Sequence, residues 1–117
     1  ILMIFDDTLI KMPQTFEGLR ENSTVIINTT KDISQLNLPE NAQNVYAVDA
    51  TNIALESIKK PIPNTAMLGA FAKATNLVDW DTLQNFISEK FGEANRVAAS
   101  IAYEKVQLIS SMEKSNC

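Results

Sequence analysis

Histidine is absent from this 117-residue sequence, and cysteine occurs once, as Cys117. Ser-His and Cys-His nucleophile pairs therefore cannot form within the chain. Zinc sites that depend on histidine are excluded as well, and one cysteine can neither close an internal disulfide nor hold a cysteine-ligated cluster. These absences argue against a self-contained hydrolase or metalloenzyme. We predict no catalytic residue and no metal ligand in this chain.

Long apolar runs and basic clusters are also missing. The clearest apolar runs, residues 1–5 and 25–27, fall far short of the roughly 20 residues that cross a bilayer. No basic segment precedes the apolar start, as it would in a signal peptide. The ten Lys and Arg residues are scattered among 14 Asp and Glu residues, which gives a net charge of −4 and no basic face. We expect a cytoplasmic protein whose partners include neither membranes nor nucleic acids.

Three short segments rich in β-branched or apolar residues predict strands, at residues 1–5, 23–29 and 44–49. The first is a continuous apolar run, which is typical of a strand buried on both faces of a parallel sheet. A central strand rarely opens a domain, and the chain begins with Ile rather than Met. We therefore interpret residues 1–117 as a single truncated domain from which one or more N-terminal strands are missing.

Helical periodicity dominates after the third strand, and the predicted helices cover residues 52–58, 65–74, 80–91 and 94–113. Strands followed by packed helices predict an α/β fold, a three-layer sandwich with a mostly parallel sheet. Asp79 is a predicted N-cap, and Gly92 a predicted helix end. Glycine within a helix costs about 1 kcal/mol relative to alanine. Gly69 therefore predicts close approach of another backbone.

Four polar residues are candidates for binding a ligand. Asp49 and Thr51 follow the third strand, at the edge where open α/β sheets bind ligands, although a cap for the next helix is an equally good interpretation. Asn64 and Thr65 open the helix that follows two prolines. A phosphate group could bind that helix start, because helix N-termini attract anions. Simple capping by Asn64 and Thr65 is the alternative.

Two segments carry a resemblance to a known family. Residues 45–56 read VYAVDATNIALE, and residues 61–75 read PIPNTAMLGAFAKAT. The pattern Ala-Thr-x-Ile-Ala, followed by Asn-Thr-x-Met-Leu-Gly-Ala, resembles the gamma subunit of pyruvate:ferredoxin oxidoreductase and of related 2-oxoacid:acceptor oxidoreductases. Such subunits open with a Gly-rich turn of the Gly-x-Gly-Gly-Gln-Gly kind, which this chain of three glycines lacks. The resemblance therefore covers roughly the C-terminal two-thirds of that domain.

The resemblance implies an auxiliary, non-catalytic subunit of an enzyme that converts a 2-oxoacid to an acyl-CoA and CO₂ and reduces ferredoxin. Its expected partners are alpha, beta and delta subunits, which carry thiamine diphosphate with Mg²⁺ and 4Fe–4S clusters. This chain alone is expected to bind none of these cofactors, but to contribute subunit contacts and coenzyme A binding. Two alternatives remain: a free-standing α/β nucleotide-binding or interaction module, and the same subunit of a complex that acts on 2-oxoglutarate, branched-chain 2-oxoacids or indolepyruvate.

Overall fold

A sheet of three parallel strands and one antiparallel strand organises the computed structural model, which describes residues 1–12, 14, 23–31, 36, 38 and 44–110. The strands lie in the order β1-β2-β3-β4. The β1–β2 and β2–β3 pairs are parallel, whereas β3–β4 is antiparallel. Their bounds are Leu2–Ile4 for β1, Thr24–Asn28 for β2, Asn44–Val48 for β3 and Gln107–Ser110 for β4. The prediction of an α/β fold with a mostly parallel sheet is confirmed.

The helices follow the strands closely. A short 3₁₀ helix at Asp7–Lys11 comes directly after β1, and α1 begins two residues after β3. The four α-helices are Ala50–Ser57 (α1), Asn64–Thr75 (α2), Trp80–Phe91 (α3) and Glu93–Lys105 (α4). Asp79 caps α3 as predicted, since its side chain accepts a hydrogen bond of 3.0 Å from the Thr82 N–H. Gly92, at φ 98°, separates α3 from α4.

Alternating side chains of β2 bury both faces of the sheet. Ile26 belongs to an apolar cluster that includes Met67 from α2 and alanines from α4. Val25 and Ile27 point to the opposite face, where they pack with Ile10 from the 3₁₀ helix. These three β2 side chains are completely buried, as expected of an inner parallel strand. The strand β1 lies at the edge of the described sheet, and the prediction of burial on both faces holds for it only in part.

The end of the last helix differs from the prediction. Residues 94–113 were expected to form one helix, but α4 ends at Lys105 and residues 107–110 form β4. Pairing with β3 therefore determines the backbone conformation here, despite the helical periodicity of the sequence. β3 would otherwise leave one edge without hydrogen-bond partners, and β-branched Val106 and Ile109 tolerate extended backbone well. The described sheet thus has four strands, where the sequence predicted three. Residues beyond 110 lie outside the described part of the chain.

The contact between α2 and α4 is unusually close at Gly69. A methyl group at this position would lie 1.9 Å from the backbone oxygen of Ala99 and 2.7 Å from its carbonyl carbon. Small side chains continue the contact on both sides, with Ala66 and Ala70 on α2 facing Ala98 and Ala102 on α4. The predicted approach of a second backbone to Gly69 is confirmed, and its source is α4.

None of the described helices is both long enough and apolar enough to cross a membrane.

Substitution Gly69→Ala should destabilise the chain by roughly 1–3 kcal/mol, because α2 and α4 must move apart to admit the methyl group. Alanine's better helix propensity offsets only part of that loss. The free energy of unfolding can be measured by urea titration, followed by the fluorescence of Trp80. A second substitution, Ala99→Gly, should give no rescue, since the new methyl group meets a backbone atom. Wild-type stability of Gly69→Ala, or rescue by Ala99→Gly, would contradict the close-contact explanation.

Candidate functional site

The carboxyl ends of β1, β2 and β3 meet at one edge of the sheet and surround a cleft of about 420 Å³. This is the edge at which open α/β sheets bind ligands. The described lining comes from the loops after all three strands and from the proline segment that leads into α2. It includes Phe5, Asp6, Asp7, Asn28, Thr29, Thr30, Asp49, Thr51, Asn52, Pro61 and Pro63.

Asn28, the last residue of β2, ties the three strand ends together. Its Nδ2 group donates to the Phe5 carbonyl oxygen at 3.0 Å and to Thr51 Oγ1 at 2.8 Å. Its Oδ1 atom accepts from the N–H groups of Ala50, at 2.9 Å, and Thr51, at 3.3 Å. The side chain is almost completely buried, and its amide both donates and accepts hydrogen bonds. The relative position of the three loops therefore depends on this one amide.

A further hydrogen bond joins Thr29, the residue after β2, to the start of the 3₁₀ helix. Thr29 Oγ1 donates to Asp7 Oδ2 at 2.7 Å and accepts from the Lys31 N–H at 3.1 Å. Asp6 caps the 3₁₀ helix. Hydrogen bonds from the Thr8 N–H and then from its hydroxyl hold the pKa of Asp6 below its ordinary value. Asp6 is therefore ionised at neutral pH.

The charge of the cleft is negative. Asp6, Asp7 and Asp49 contribute carboxylates to its described lining, and no lysine or arginine is among the residues that line it. A phosphate group would be repelled here, whereas a group that donates hydrogen bonds would find acceptors. This polarity opposes direct phosphate binding at Asp49.

Asp49 and Thr51 lie in the cleft, as their position after a strand predicted. Asp49 caps α1, with hydrogen bonds of 3.3 Å from the Asn52 N–H and 2.7 Å from Asn52 Nδ2. The Thr51 hydroxyl oxygen accepts from Asn28 and keeps its own proton available for another acceptor. The capping role of Asp49 is therefore present, and its position also allows contact with a ligand in the cleft.

Asn64 and Thr65 do not join this site, and the prediction that they cap α2 is wrong. Pro63 occupies the N-cap position and makes no side-chain capping hydrogen bond. The helix begins one residue earlier than predicted, which places Asn64 inside it and Thr65 on its buried side. The Thr65 hydroxyl donates to Asn95 Oδ1 of α4 at 2.8 Å. Thr65 thus joins two helices, and Asn64 lies exposed at the start of α2.

The sequence interpretation missed Asn28 and Thr29. Both are buried polar residues that directly end or follow an apolar strand, and the position of Asp49 after β3 was recognised by that same signal. The role of Asn28 could not be predicted from the residues next to it in the sequence. Its partners Phe5 and Thr51 are each 23 residues away in the sequence.

A larger open groove of about 1050 Å³ adjoins the cleft along β3 and β4. The two share Thr29, Asp49 and Asn52 among their lining residues. The groove differs from the cleft in charge, because Lys31 and Lys105 line it beside Glu56 and Glu104. Cleft and groove together offer an elongated path with acidic and mixed-charge sections.

Within the described residues, no group of three or more Asp, Glu, His or Cys side chains could hold a metal ion.

Comparisons with known proteins agree on one family. The family model for pyruvate ferredoxin/flavodoxin oxidoreductase matches residues 1–105. Pyruvate synthase subunit PorC of Methanothermobacter marburgensis is 42% identical over 110 residues, which cover 91% of this chain and 59% of the relative. The common gamma subunit of the pyruvate/ketoisovalerate oxidoreductases of Pyrococcus abyssi is 39% identical over 114 residues, with 92% of this chain and 62% of the relative covered.

A solved structure is also similar. The crystal structure of pyruvate oxidoreductase subunit PORC from Thermotoga maritima superposes with a TM-score of 0.81 at 36% identity. The match covers 90% of this chain and 62% of that one. The chain therefore spans about three-fifths of the length of these relatives. The family inferred from residues 45–56 and 61–75 is confirmed.

Substitution Asn28→Ala should destabilise the chain by about 1–3 kcal/mol, because it leaves the buried N–H groups of Ala50 and Thr51 without an acceptor. Asn85→Ala, on the exposed side of α3, is the matched control and should change stability by less than about 0.5 kcal/mol. The free energies of unfolding from urea titration give the comparison. Equal losses of unfolding free energy in the two variants would mean that Asn28 does not hold the strand ends together.

Proposed function

This chain belongs to the pyruvate ferredoxin/flavodoxin oxidoreductase family, and from that membership we propose that it acts as a gamma-type, non-catalytic subunit of a 2-oxoacid oxidoreductase. The observation that carries the proposal is the family match over residues 1–105, combined with a cleft that holds carboxylates, hydroxyls and an amide but no nucleophile–base pair. Such a cleft suits ligand binding and subunit support. Cleavage of the 2-oxoacid, with thiamine diphosphate, Mg²⁺ and 4Fe–4S clusters, would belong to alpha, beta and delta subunits, and ferredoxin would accept the electrons.

The choice of 2-oxoacid would also lie outside this chain. The Pyrococcus abyssi relative is named as a subunit common to pyruvate and ketoisovalerate oxidoreductases, so one gamma subunit can serve enzymes with two substrates. Pyruvate is the 2-oxoacid in the names of the Methanothermobacter marburgensis and Thermotoga maritima relatives. We propose pyruvate first, with a branched-chain 2-oxoacid as the second candidate that the Pyrococcus abyssi name favours.

Coenzyme A is the proposed ligand of the cleft and groove. Its pantetheine arm carries two amide N–H groups and a hydroxyl, which match the carboxylate of Asp49 and the hydroxyl of Thr51. Its phosphates are repelled by the acidic cleft and would lie in the adjoining groove, toward Lys31 and Lys105. This arrangement keeps Asp49 and Thr51 as contacts, but it assigns them the uncharged part of the molecule.

The subunit role predicts specific copurification. The tagged chain, expressed in its native host, should bring down stoichiometric amounts of subunits that carry thiamine diphosphate and iron–sulfur clusters. Mass spectrometry and iron analysis of the purified assembly provide the measurement. Recovery of the chain without those subunits would contradict the proposal and favour a free-standing nucleotide-binding or interaction module.

The coenzyme A role predicts a kinetic change in the assembled enzyme. The double substitution Lys31→Gln and Lys105→Gln should raise the Michaelis constant for coenzyme A severalfold to about tenfold, since both lysines are exposed and an exposed ion pair contributes up to about 1 kcal/mol. Thr51→Val should raise it severalfold, with kcat for the 2-oxoacid unchanged at saturating coenzyme A. Lys90→Gln, on α3, is the control and should have no effect. Unchanged Michaelis constants in all variants would rule out coenzyme A in this groove and leave the subunit role standing.

A further inference from the structure

The backbone around Asn28 permits only one orientation of its side-chain amide. The N–H groups of Ala50 and Thr51 lie 2.9 and 3.3 Å from Oδ1, and the Phe5 carbonyl oxygen lies 3.0 Å from Nδ2. A backbone N–H can only donate a hydrogen bond, and a backbone carbonyl can only accept one. Exchanging Oδ1 and Nδ2 would set donor against donor and acceptor against acceptor at a buried side chain. The backbone therefore fixes which atom of the amide faces the Thr51 hydroxyl.

This orientation also fixes the direction of the Thr51 hydroxyl proton. Asn28 Nδ2 carries two protons, of which one is donated to the Phe5 carbonyl oxygen and the other to Thr51 Oγ1, at 2.8 Å. Because Thr51 Oγ1 accepts from Asn28, its own proton must point away from that amide. No acceptor for this proton is found in the described part of the chain, and Thr51 lines the cleft. The hydroxyl therefore presents a hydrogen-bond donor to the cleft.

The groups beside Thr51 have the opposite polarity. The two carboxylate oxygens of Asp49 accept from the N–H and Nδ2 groups of Asn52, and each oxygen retains a further lone pair. The Thr29 hydroxyl has already given its proton to Asp7. The cleft thus combines a donor at Thr51 with an acceptor at Asp49, two residues apart in the sequence. A secondary amide is complementary to this pair, because it offers a carbonyl oxygen and an N–H group.

We propose that Asn28 is a positioning residue, which holds the Thr51 hydroxyl as a donor so that the cleft selects a ligand amide with its carbonyl oxygen at Thr51 and its N–H group at Asp49. This role rests on the function proposed above, since the pantetheine arm of coenzyme A carries two such amides. It adds the ligand atom that contacts Thr51 and the residue that determines this choice.

Titration calorimetry of the assembled enzyme with coenzyme A tests the donor role of Thr51. Thr51→Val removes the hydroxyl with little change of shape and should raise the dissociation constant severalfold, whereas Thr51→Ser keeps the donor and should stay within about twofold of wild type. The value of kcat at saturating coenzyme A should be equal in all three proteins, because the lost bond serves binding. An unchanged dissociation constant in Thr51→Val would overturn the proposal.

Substitution Asn28→Asp tests the positioning role, because it keeps the acceptor for the N–H groups of Ala50 and Thr51. Those two donors favour the ionised carboxylate at about pH 8. Its second oxygen would take the Thr51 hydroxyl proton, which leaves only lone pairs facing the cleft. The dissociation constant for coenzyme A should rise about as much as in Thr51→Val, and the double variant should show no further rise. Asn85→Asp, on the exposed side of α3, adds the same charge and should have no effect.

The double variant separates positioning from a structural or electrostatic effect. If Asn28→Asp acted by loosening the strand ends or by repelling phosphates, its effect would multiply that of Thr51→Val, and this result would overturn the proposal. The Thr51 variants alone decide the outcome if Asn28→Asp does not assemble.

The enzyme with Lys31→Gln and Lys105→Gln provides the reference for the proposed function. A raised dissociation constant in that enzyme, with an unchanged value in Thr51→Val, overturns only the role of Asn28 and Thr51. Unchanged values in both overturn the coenzyme A role as well.

Discussion

The hydrogen bonds of the Asn28 amide hold the carboxyl edge of the sheet together. A parallel sheet brings the ends of its strands to one edge, but it does not by itself fix the loops that leave them. Asn28 does so by donating to the loop after β1 and accepting from the start of α1. Because the amide is buried, any loop movement that breaks these bonds leaves polar groups unpaired. The cleft thus has a defined shape because one residue connects three segments.

The helical layer gives the sheet a second constraint. Gly69 lets α2 lie directly against the backbone of α4, and Met67 of α2 and the alanines of both helices pack over Ile26 of the sheet. The Thr65 hydroxyl, bonded to Asn95, fixes the same two helices near their N-terminal ends. The stretch of residues 61–75, which carries the family resemblance, therefore serves mainly as packing. Its prolines line the cleft, while its helix packs against α4.

Local patterns predicted much of this architecture because their physical causes are local. The β-branched core of β2, the Asp79 cap and the Gly92 helix end all act through neighbouring residues. Gly69 was informative because glycine within a helix needs a compensating contact. Prediction failed where distant partners decide: β4 forms because β3 has a free edge, and Thr65 is turned inward by Asn95. The sequence predicted part of the site, since Asp49 and Thr51 lie in the cleft. It did not predict Asn28, whose partners are 23 residues away in the sequence.

The proposed function amounts to one account, in which the strand ends of this domain bind a ligand beside catalytic subunits. A cryo-electron microscopy map of the native assembly, isolated through this chain and saturated with coenzyme A, tests it most directly. The account predicts this chain beside thiamine-diphosphate and iron–sulfur subunits, with the pantetheine arm against Asp49 and Thr51 and the phosphates near Lys31. A map in which coenzyme A contacts only other subunits, or an isolated particle that lacks such subunits, would contradict it.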